Sequence, residues 1–220
     1  MRSSLIILFL ITCFLSAPAQ TVRLGLSAGM GPDWFKVKGP DLDPSSDIRA
    51  YKATLNEEFS RVFAFTVDFK EEGKRFITGF DLVYQTTEKS TGSSHGSSNT
   101  NYFESQFSLL HVGPDTKLIF NPRSKFNVYL KTSVYVTGVL SHHTTYESYD
   151  NITGTKKTGV WADPRKVCLS YDAGLGFSYS VVYLELKGLG SLVRASKGPK
   201  IDITTAYVSL GVRFAKFNGD

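Results

Sequence analysis

The stretch VCLSYDAGLGFSYS, at residues 167–180, alternates between two kinds of side chain along its whole length. One set of positions is mostly apolar and holds Val167, Leu169, Tyr171, Ala173, Leu175, Phe177 and Tyr179. The other set is small or polar and holds Cys168, Ser170, Asp172, Gly174, Gly176, Ser178 and Ser180. Because successive side chains of a strand point to opposite faces, this period predicts a β-strand with two different faces, whereas a helix would mix the two sets.

The same alternation recurs in six other segments. They begin at Val22, Phe63, Phe76, Val128, Leu184 and Ala206. A further strand must lie within residues 103–119, where Pro114 interrupts the pattern and which face is apolar stays open. Aromatic residues, which favour strands, make up 13% of the chain. We therefore predict an all-β chain of eight strands.

The connections between these strands alternate between long and short. Long stretches lie at residues 30–60, 88–102, 141–165 and 194–202. Short connections lie at residues 71–74, at residues 121–125 and near Ser180. An antiparallel meander with this order has its long loops at one end and its tight turns at the other, as outer-membrane barrels do.

The first twenty residues have the layout of a secretory signal peptide. Arg2 supplies a positive charge, Leu5 to Leu15 form an apolar run of 11 residues, and small residues follow as far as Ala19. The run is too short for a membrane-spanning helix, which needs about 20 residues. We predict residues 1–20 as the signal peptide and residues 21–220 as one barrel domain.

Alternation alone does not say which face points inward. A soluble lipocalin-like barrel would place the apolar face inside around an apolar ligand, and a membrane barrel would place it outside against lipid. The polar face is rich in glycine and serine, for example Gly25, Gly174 and Ser209. Small side chains suit the crowded interior of an eight-stranded barrel. The strands also span about 10 residues, the length of a tilted transmembrane strand.

The charges on the polar face balance. Four basic residues, Arg23, Lys131, Lys187 and Arg213, accompany four acidic residues, Asp68, Asp81, Asp172 and Glu185. Buried charges need partners, so this balance favours an interior, charge-paired structural network. We predict an eight-stranded antiparallel up-and-down transmembrane β-barrel in the bacterial outer membrane, with its interior plugged by these side chains.

Catalytic signals are scarce. Ser141, His142, His143, Glu147 and Asp150 cluster in one long connection and would suit an outer-leaflet lipid-modifying enzyme, but a polar surface loop explains them equally. The four histidines do not show metal-ligand spacing. We expect a non-enzymatic protein without cofactor or metal, and we keep the barrel enzyme and the soluble lipocalin-like barrel as alternatives.

The long connections carry the candidate contact residues. Aromatic side chains occur there among lysines and arginines at Trp34, Phe35, Tyr51, Tyr146, Tyr149 and Trp161. This mixture suits contacts with another envelope protein or an anionic surface glycan, although the basic residues could simply neutralise lipid phosphate. We expect outer-membrane lipid as the surroundings, a monomer, and no nucleic acid as partner.

Several segments together are similar to a known family. They are Ala17-Pro-Ala-Gln20, Val22 to Gly29, Phe107 to Pro114, Lys117 to Phe120, Phe126 to Leu130, Asp172 to Phe177, and Val208 to Phe214. With them the chain resembles the small outer-membrane β-barrel domain proteins of the PorT-like family. The resemblance implies an eight-stranded outer-membrane barrel, a link of some relatives to protein secretion, and no catalytic residue to transfer.

Overall fold

The structure is a computed structural model. It describes residues 21–39, 51–54, 58–70, 73–88, 90–95, 99–160, 166–191 and 200–218. The predicted signal peptide at residues 1–20 and the candidate contact residue Trp161 lie outside these ranges. In the described part of the chain, no helix is long and apolar enough to cross a membrane.

Eleven strands occupy the described ranges. They are β1 (Thr21–Gly39), β2 (Tyr51–Thr54), β3 (Glu58–Lys70), β4 (Phe76–Thr87), β5 (Ser90–His95), β6 (Asn99–Ile119), β7 (Phe126–Asp150), β8 (Lys156–Val160), β9 (Val167–Tyr179), β10 (Val182–Ser191) and β11 (Lys200–Asn218). Eight of them, namely β1, β3, β4, β6, β7, β9, β10 and β11, pair antiparallel with their neighbours in sequence order. The last strand pairs with the first and closes the ring, which confirms the predicted eight-stranded barrel.

The apolar faces of the barrel strands point outward. In β11, Leu210 is 59% exposed while Ser209 is buried, and in β9 Leu175 is exposed while Asp172 is buried. A ring of exposed valine, leucine and phenylalanine side chains therefore surrounds a polar interior. This arrangement suits lipid and is the reverse of a soluble lipocalin-like barrel, so that alternative is wrong.

The strand within residues 103–119, whose apolar face was left open, has mixed faces. Its inward positions hold Phe107, Leu109, His111, Asp115, Lys117 and Ile119. Its outward positions include Ser108, Pro114 and Thr116. Each face carries both polar and apolar side chains, which is why the sequence gives no clear alternation there. Pro114 lies opposite Phe80 of β4.

Several barrel strands continue beyond the apolar belt at the end with the long connections. On β7 the outward apolar positions end at Leu140, and the strand runs on through residues 141–150. The register with β6 shifts between Ser108 and Leu109, opposite this transition. β5 then pairs with β6, and β8 pairs with β7. We call the resulting four-stranded sheet, residues 90–95, 99–108, 141–150 and 156–160, the loop-end sheet.

These extensions correct the sequence-based boundaries. Residues 30–60, 88–102, 141–165 and 194–202 were expected to be connections, but β1, β2, β5, β7, β8 and β11 extend into them. Outside the lipid, neither face of a strand has to be apolar. The strands in these residues therefore lack the alternation of apolar and polar side chains that predicts the other strands.

The opposite end has tight turns. Ser180 and Val181 alone join β9 to β10, and Ser180 has a positive φ of 54°. Phe120 to Lys125 join β6 to β7. In outer-membrane barrels the tight turns face the periplasm and the long loops face the outside. The loop-end sheet therefore projects from the outer surface.

Candidate functional site

The centre of the barrel holds a layered cluster of ion pairs. Lys131 lies 2.6 Å from Asp81 and 3.7 Å from Asp115. In the next layer Lys187 lies 2.9 Å from Glu185 and 3.5 Å from Asp172. Five of these six side chains are at most 1% exposed, and the sixth, that of Glu185, is 2% exposed. Burial makes such pairs mutually dependent, because removing one partner leaves a charge without compensation.

A second group of pairs lies towards the tight-turn end. Lys117 contacts Asp68 and lies 3.6 Å from Asp115. Arg213 is 3.7 Å from the same Asp68 carboxylate, and its guanidinium lies 5.2 Å from the ring centre of Tyr183. Asp68 is therefore shared by two cations, and Asp115 links this group to Lys131 in the centre.

Tyrosines fill the space between the charges. The hydroxyl of Tyr135 donates to Asp172 at 2.8 Å and lies 3.1 Å from Asp81. Tyr129 donates to Glu185 at 2.8 Å. A Cβ on Gly176 would lie 2.1 Å from the ring of Tyr129, so only glycine leaves room for that ring.

A chain of hydrogen bonds between uncharged side chains, ending on the carboxylate of Asp33, occupies the half of the interior towards the loop end. The amide nitrogen of Gln85 donates to Ser60 at 2.9 Å and to Thr205 at 2.8 Å, and both hydroxyls donate to Asp33. The amide oxygen of Gln85 is then free to accept from Nε2 of His111 at 3.1 Å.

His111 continues this chain along the inside of the wall, from β4 through β6 to β7 and β9. Its Nδ1 lies 2.8 Å from the hydroxyl of Thr137, which lies 2.6 Å from that of Ser170. A cavity of about 20 Å³ borders these groups and Cys168. That volume is enough for one water molecule.

The structure places all eight residues of the predicted network on the inner side of the wall. Asp68, Asp81, Lys131, Asp172, Glu185 and Lys187 are buried, and Arg23 and Arg213 are partly buried towards the tight-turn end. Asp33, Asp115 and Lys117 also point inward and were not predicted from the sequence. Asp33 fell in an expected loop, and the other two lie in the strand whose facing was open. Their signal was charge at alternate positions, 115 and 117, in a segment of strand length.

The candidate contact residues lie at the loop end. Tyr149 is 46% exposed on β7. Trp34 and Phe35 lie in β1, Tyr51 in β2 and Tyr146 in β7, so they belong to paired strands and not to loops. Register places Trp34 opposite Thr204, and Tyr146 opposite Gly159.

The candidate catalytic groups in residues 141–150 make contacts that belong to the sheet and its turn. Nε2 of His143 lies 3.4 Å from Thr145 and 3.8 Å from Glu104. In a catalytic triad the carboxylate orients the base through its other nitrogen, and here both contacts fall on one nitrogen. Glu147 pairs with Lys156 at 2.8 Å. Asp150 accepts the backbone N–H groups of the following turn, which lower the pKa of its carboxyl.

Within the described residues, no group of three or more histidine, cysteine, aspartate or glutamate side chains is placed to hold a metal ion. The buried lysines of the described interior each lie within 4 Å of at least one carboxylate.

The chain is similar to several solved structures but to no family model or curated protein. Among solved structures it is similar to Ail, the attachment invasion locus protein of Yersinia pestis, at 14% identity over 89% of this chain and 99% of that chain, with a TM-score of 0.41. It is also similar to OprG from Pseudomonas aeruginosa, at 13% identity over 90% and 96% with a TM-score of 0.46. The outer membrane enzyme PagL matches at 8% identity over 86% and 99%, with a TM-score of 0.45.

The chain is an eight-stranded β-barrel of the bacterial outer membrane. Its similarity to the PorT-like family stays a prediction, because no family model matches. A fold by itself does not assign an activity.

Proposed function

We propose that this protein is a monomeric, non-enzymatic surface protein whose loop-end sheet binds another envelope protein. The observation that carries the proposal is the distance by which that sheet extends beyond the apolar belt. Residues 141–150 continue β7 for ten positions past the apolar belt, about 34 Å along the strand at about 3.4 Å per residue. A barrel that needed only to anchor itself would not need to extend its wall this far.

The outward face of the loop-end sheet has the side chains of a protein contact surface. Tyr102 is 52% exposed and lies opposite Glu147, and Tyr149 and Lys156 lie opposite each other on the same face. Tyrosine is enriched at interfaces because it buries a large rigid surface and still offers a hydroxyl group. Above the lipid, these exposed aromatics have no bilayer to contact.

The ends of this sheet support a second mode of contact. Within the described residues, β8 pairs only with β7. A partner segment could add to β8 as a further strand, with main-chain hydrogen bonds providing affinity. A link to secretion, which the PorT-like resemblance implies, would fit a partner of this kind.

The interior supports a structural role in this proposal. Tyr129, Tyr135, Lys131 and Glu185 are each about 1% exposed inside the wall, where Tyr129 and Tyr135 donate hydrogen bonds to buried carboxylates. In eight-stranded barrels the interior is just wide enough for side chains to fill. We therefore propose that the ion-pair cluster closes the lumen and holds the wall rigid beneath the loop-end sheet.

The proposal can be tested by site-specific photo-crosslinking in living cells. A photoreactive amino acid replaces Tyr102 or Tyr149 in the loop-end sheet, and Leu175 in the lipid-facing belt serves as the control position. We expect positions 102 and 149 to yield the same crosslinked envelope protein and position 175 to yield none. Crosslinked products that contain only surface glycan would mean that the partner is a glycan and not a protein. Identical crosslinking patterns at positions 102, 149 and 175 would contradict the proposal.

A further inference from the structure

Asp33 is a buried carboxyl group at the loop end of the barrel. Its side chain points inward from β1 and is 1% exposed. On the outer face of the wall, Met30 lies opposite Arg61, and the exposed ion pair between Arg61 and Glu88 marks the end of the apolar belt. Asp33 lies further along β1 towards the loop end, so it is outside the part of the barrel that spans the membrane.

Two hydroxyl groups from the neighbouring strands are the hydrogen-bond partners of Asp33. Ser60 of β3 donates to Oδ2 and Thr205 of β11 donates to Oδ1. Gln85 of β4 donates to both hydroxyls and holds them in place, at 2.9 Å and 2.8 Å. Among the described residues no basic side chain pairs with Asp33, whereas the carboxylates at the centre of the barrel lie beside lysines.

The titratable neighbours of Asp33 in the described part of the surrounding strands are Glu58 and His111. Register places Glu58 of β3 opposite Asp33. At this level β4 contributes Gln85 and β11 contributes Thr205, and neither of them titrates. Nε2 of His111, on β6, lies 3.1 Å from the amide oxygen of Gln85 and reaches Asp33 only through this chain. A second acid opposite Asp33 opposes its ionisation, as burial does.

We propose that Asp33 is an acid-sensitive latch between β1, β3 and β11, and that a proton on this carboxyl group holds the loop end of the wall together. The ionised form places an uncompensated charge in a buried site, which is costly even with hydrogen bonds from two hydroxyl groups. The protonated form is neutral and keeps both contacts, because it accepts from one hydroxyl and donates to the other. Taking up a proton from water therefore removes the cost of the charge and keeps the three strands joined.

The pKa of Asp33 sets the range in which the latch responds. Burial raises this pKa from 3.8 to about 6, although the hydrogen bonds from Ser60 and Thr205 act in the opposite direction. The folded barrel therefore binds the proton about a hundredfold more tightly than the unfolded chain does. The resulting stabilisation is complete below about pH 4 and is lost as the pH rises through about 6. The latch joins β1, β3 and β11 and not the loop-end sheet, so it does not rest on the partner proposed above.

Hydrogen exchange of the purified barrel in a non-ionic maltoside detergent tests the latch. Exchange is read by mass spectrometry at about pH 5 and about pH 7.5, and it is corrected for the intrinsic pH dependence of amide exchange. We expect peptides that contain Ser60 or Thr205 to be about tenfold better protected at the lower pH. A peptide that contains Leu175, in the lipid-facing belt, should be protected equally at both. Equal protection of all three peptides at the two pH values would contradict the proposal.

A pair of acid-to-amide variants identifies the group that responds. Asp33→Asn imitates the protonated form, so we expect about tenfold higher protection at about pH 7.5 and no remaining pH dependence. Glu88→Gln removes an exposed acid of the same wall and should keep the pH dependence of the unchanged protein. Lower protection in Asp33→Asn than in the unchanged protein at about pH 7.5 would mean that the ionised carboxylate joins the strands, and it would overturn the proposal.

Ser60→Ala tests the latch without altering Asp33. It removes a hydrogen bond that favours the ionised form, so the midpoint of the pH dependence should move above about 6. A midpoint that stays in place or moves down would count against the latch. A gel shift between unboiled and boiled samples confirms that each variant is folded.

Discussion

Asp81 shows how individual side chains hold this interior together. Its carboxylate lies 2.6 Å from Lys131 and 3.1 Å from the hydroxyl of Tyr135, and it is fully buried. Asp81 stabilises the folded barrel by neutralising Lys131. No water could take the place of the carboxylate beside this buried lysine. The exposed pair between Arg61 and Glu88, at 3.0 Å, has water on both sides.

We therefore expect Asp81→Leu and Glu88→Gln to differ sharply. The buried substitution should lower the free energy of unfolding by about 3–5 kcal/mol, because it leaves Lys131 without its nearest partner. The exposed substitution should change it by at most about 1 kcal/mol. Urea unfolding of both variants in detergent, followed by tryptophan fluorescence, measures the difference. Equal effects would mean that the central charges contribute no more than a surface pair.

At the scale of single elements, the strands differ in how clearly the sequence predicts them and their two faces. β9 was predicted from its sequence because every inward position from Cys168 to Ser178 is small or polar and every outward one but Ala173 is large. β6 was predicted as a strand within residues 103–119 but without an assigned apolar face, because Phe107 and Leu109 point inward beside the polar His111. The loop-end strands lacked a signal for another reason, since water on both faces imposes no alternation.

The tight turn between β9 and β10 offers a test at this scale. Ser180 has a φ of 54°, a conformation that costs a residue with a side chain about 1 kcal/mol and costs glycine almost nothing. Ser180→Gly should therefore raise the stability of the barrel by a few tenths to about 1 kcal/mol. Val181→Gly is the matched control, and it should be neutral or destabilising, because only the flexibility of the unfolded chain changes there. The urea midpoints of the two variants are compared with that of the unchanged protein. A lower midpoint for Ser180→Gly would contradict the expectation that Ser180 is strained.

The candidate site could be predicted in outline but not in full. The four basic and four acidic residues of the expected network all lie on the inner side, because each sits in a strand with two distinct faces. The inward facing of Asp115 and Lys117 can be assigned only when the register of β6 is known. The inward facing of Asp33 can be assigned only when β1 is known to extend past the belt. The hydrogen-bond chain through Gln85 and His111 depends on side chains from distant strands, and no local pattern reveals such a meeting.

The whole molecule depends on its outer face being apolar throughout the depth of the membrane. Leu210 lies at the middle of the belt on β11, and Phe217 lies near its tight-turn edge. We expect Leu210→Arg to block or strongly impair assembly, since arginine at the bilayer midplane costs about 2–4 kcal/mol. Phe217→Arg should be tolerated, because the cost falls to about 0–1 kcal/mol near the interface. The heat-dependent gel shift of outer-membrane fractions reports assembly, and normal assembly of the Leu210 variant would contradict the lipid-facing assignment.

The order of strands around the ring has a consequence for how the protein is made. Seven of the eight pairings in the wall join strands that are consecutive once β2, β5 and β8, which lie outside the ring, are left aside, and the eighth joins β1 to β11. Neighbouring hairpins can form as soon as their own residues are available, whereas the pairing of Thr21 with Asn218 must bridge nearly the whole chain. We therefore expect ring closure at this seam to be the last contact to form, and a nascent chain that lacks β11 to keep two open sheet edges. A truncated product would expose those edges to other unfinished chains and to proteases, so quality control can recognise an incomplete barrel by its unclosed seam.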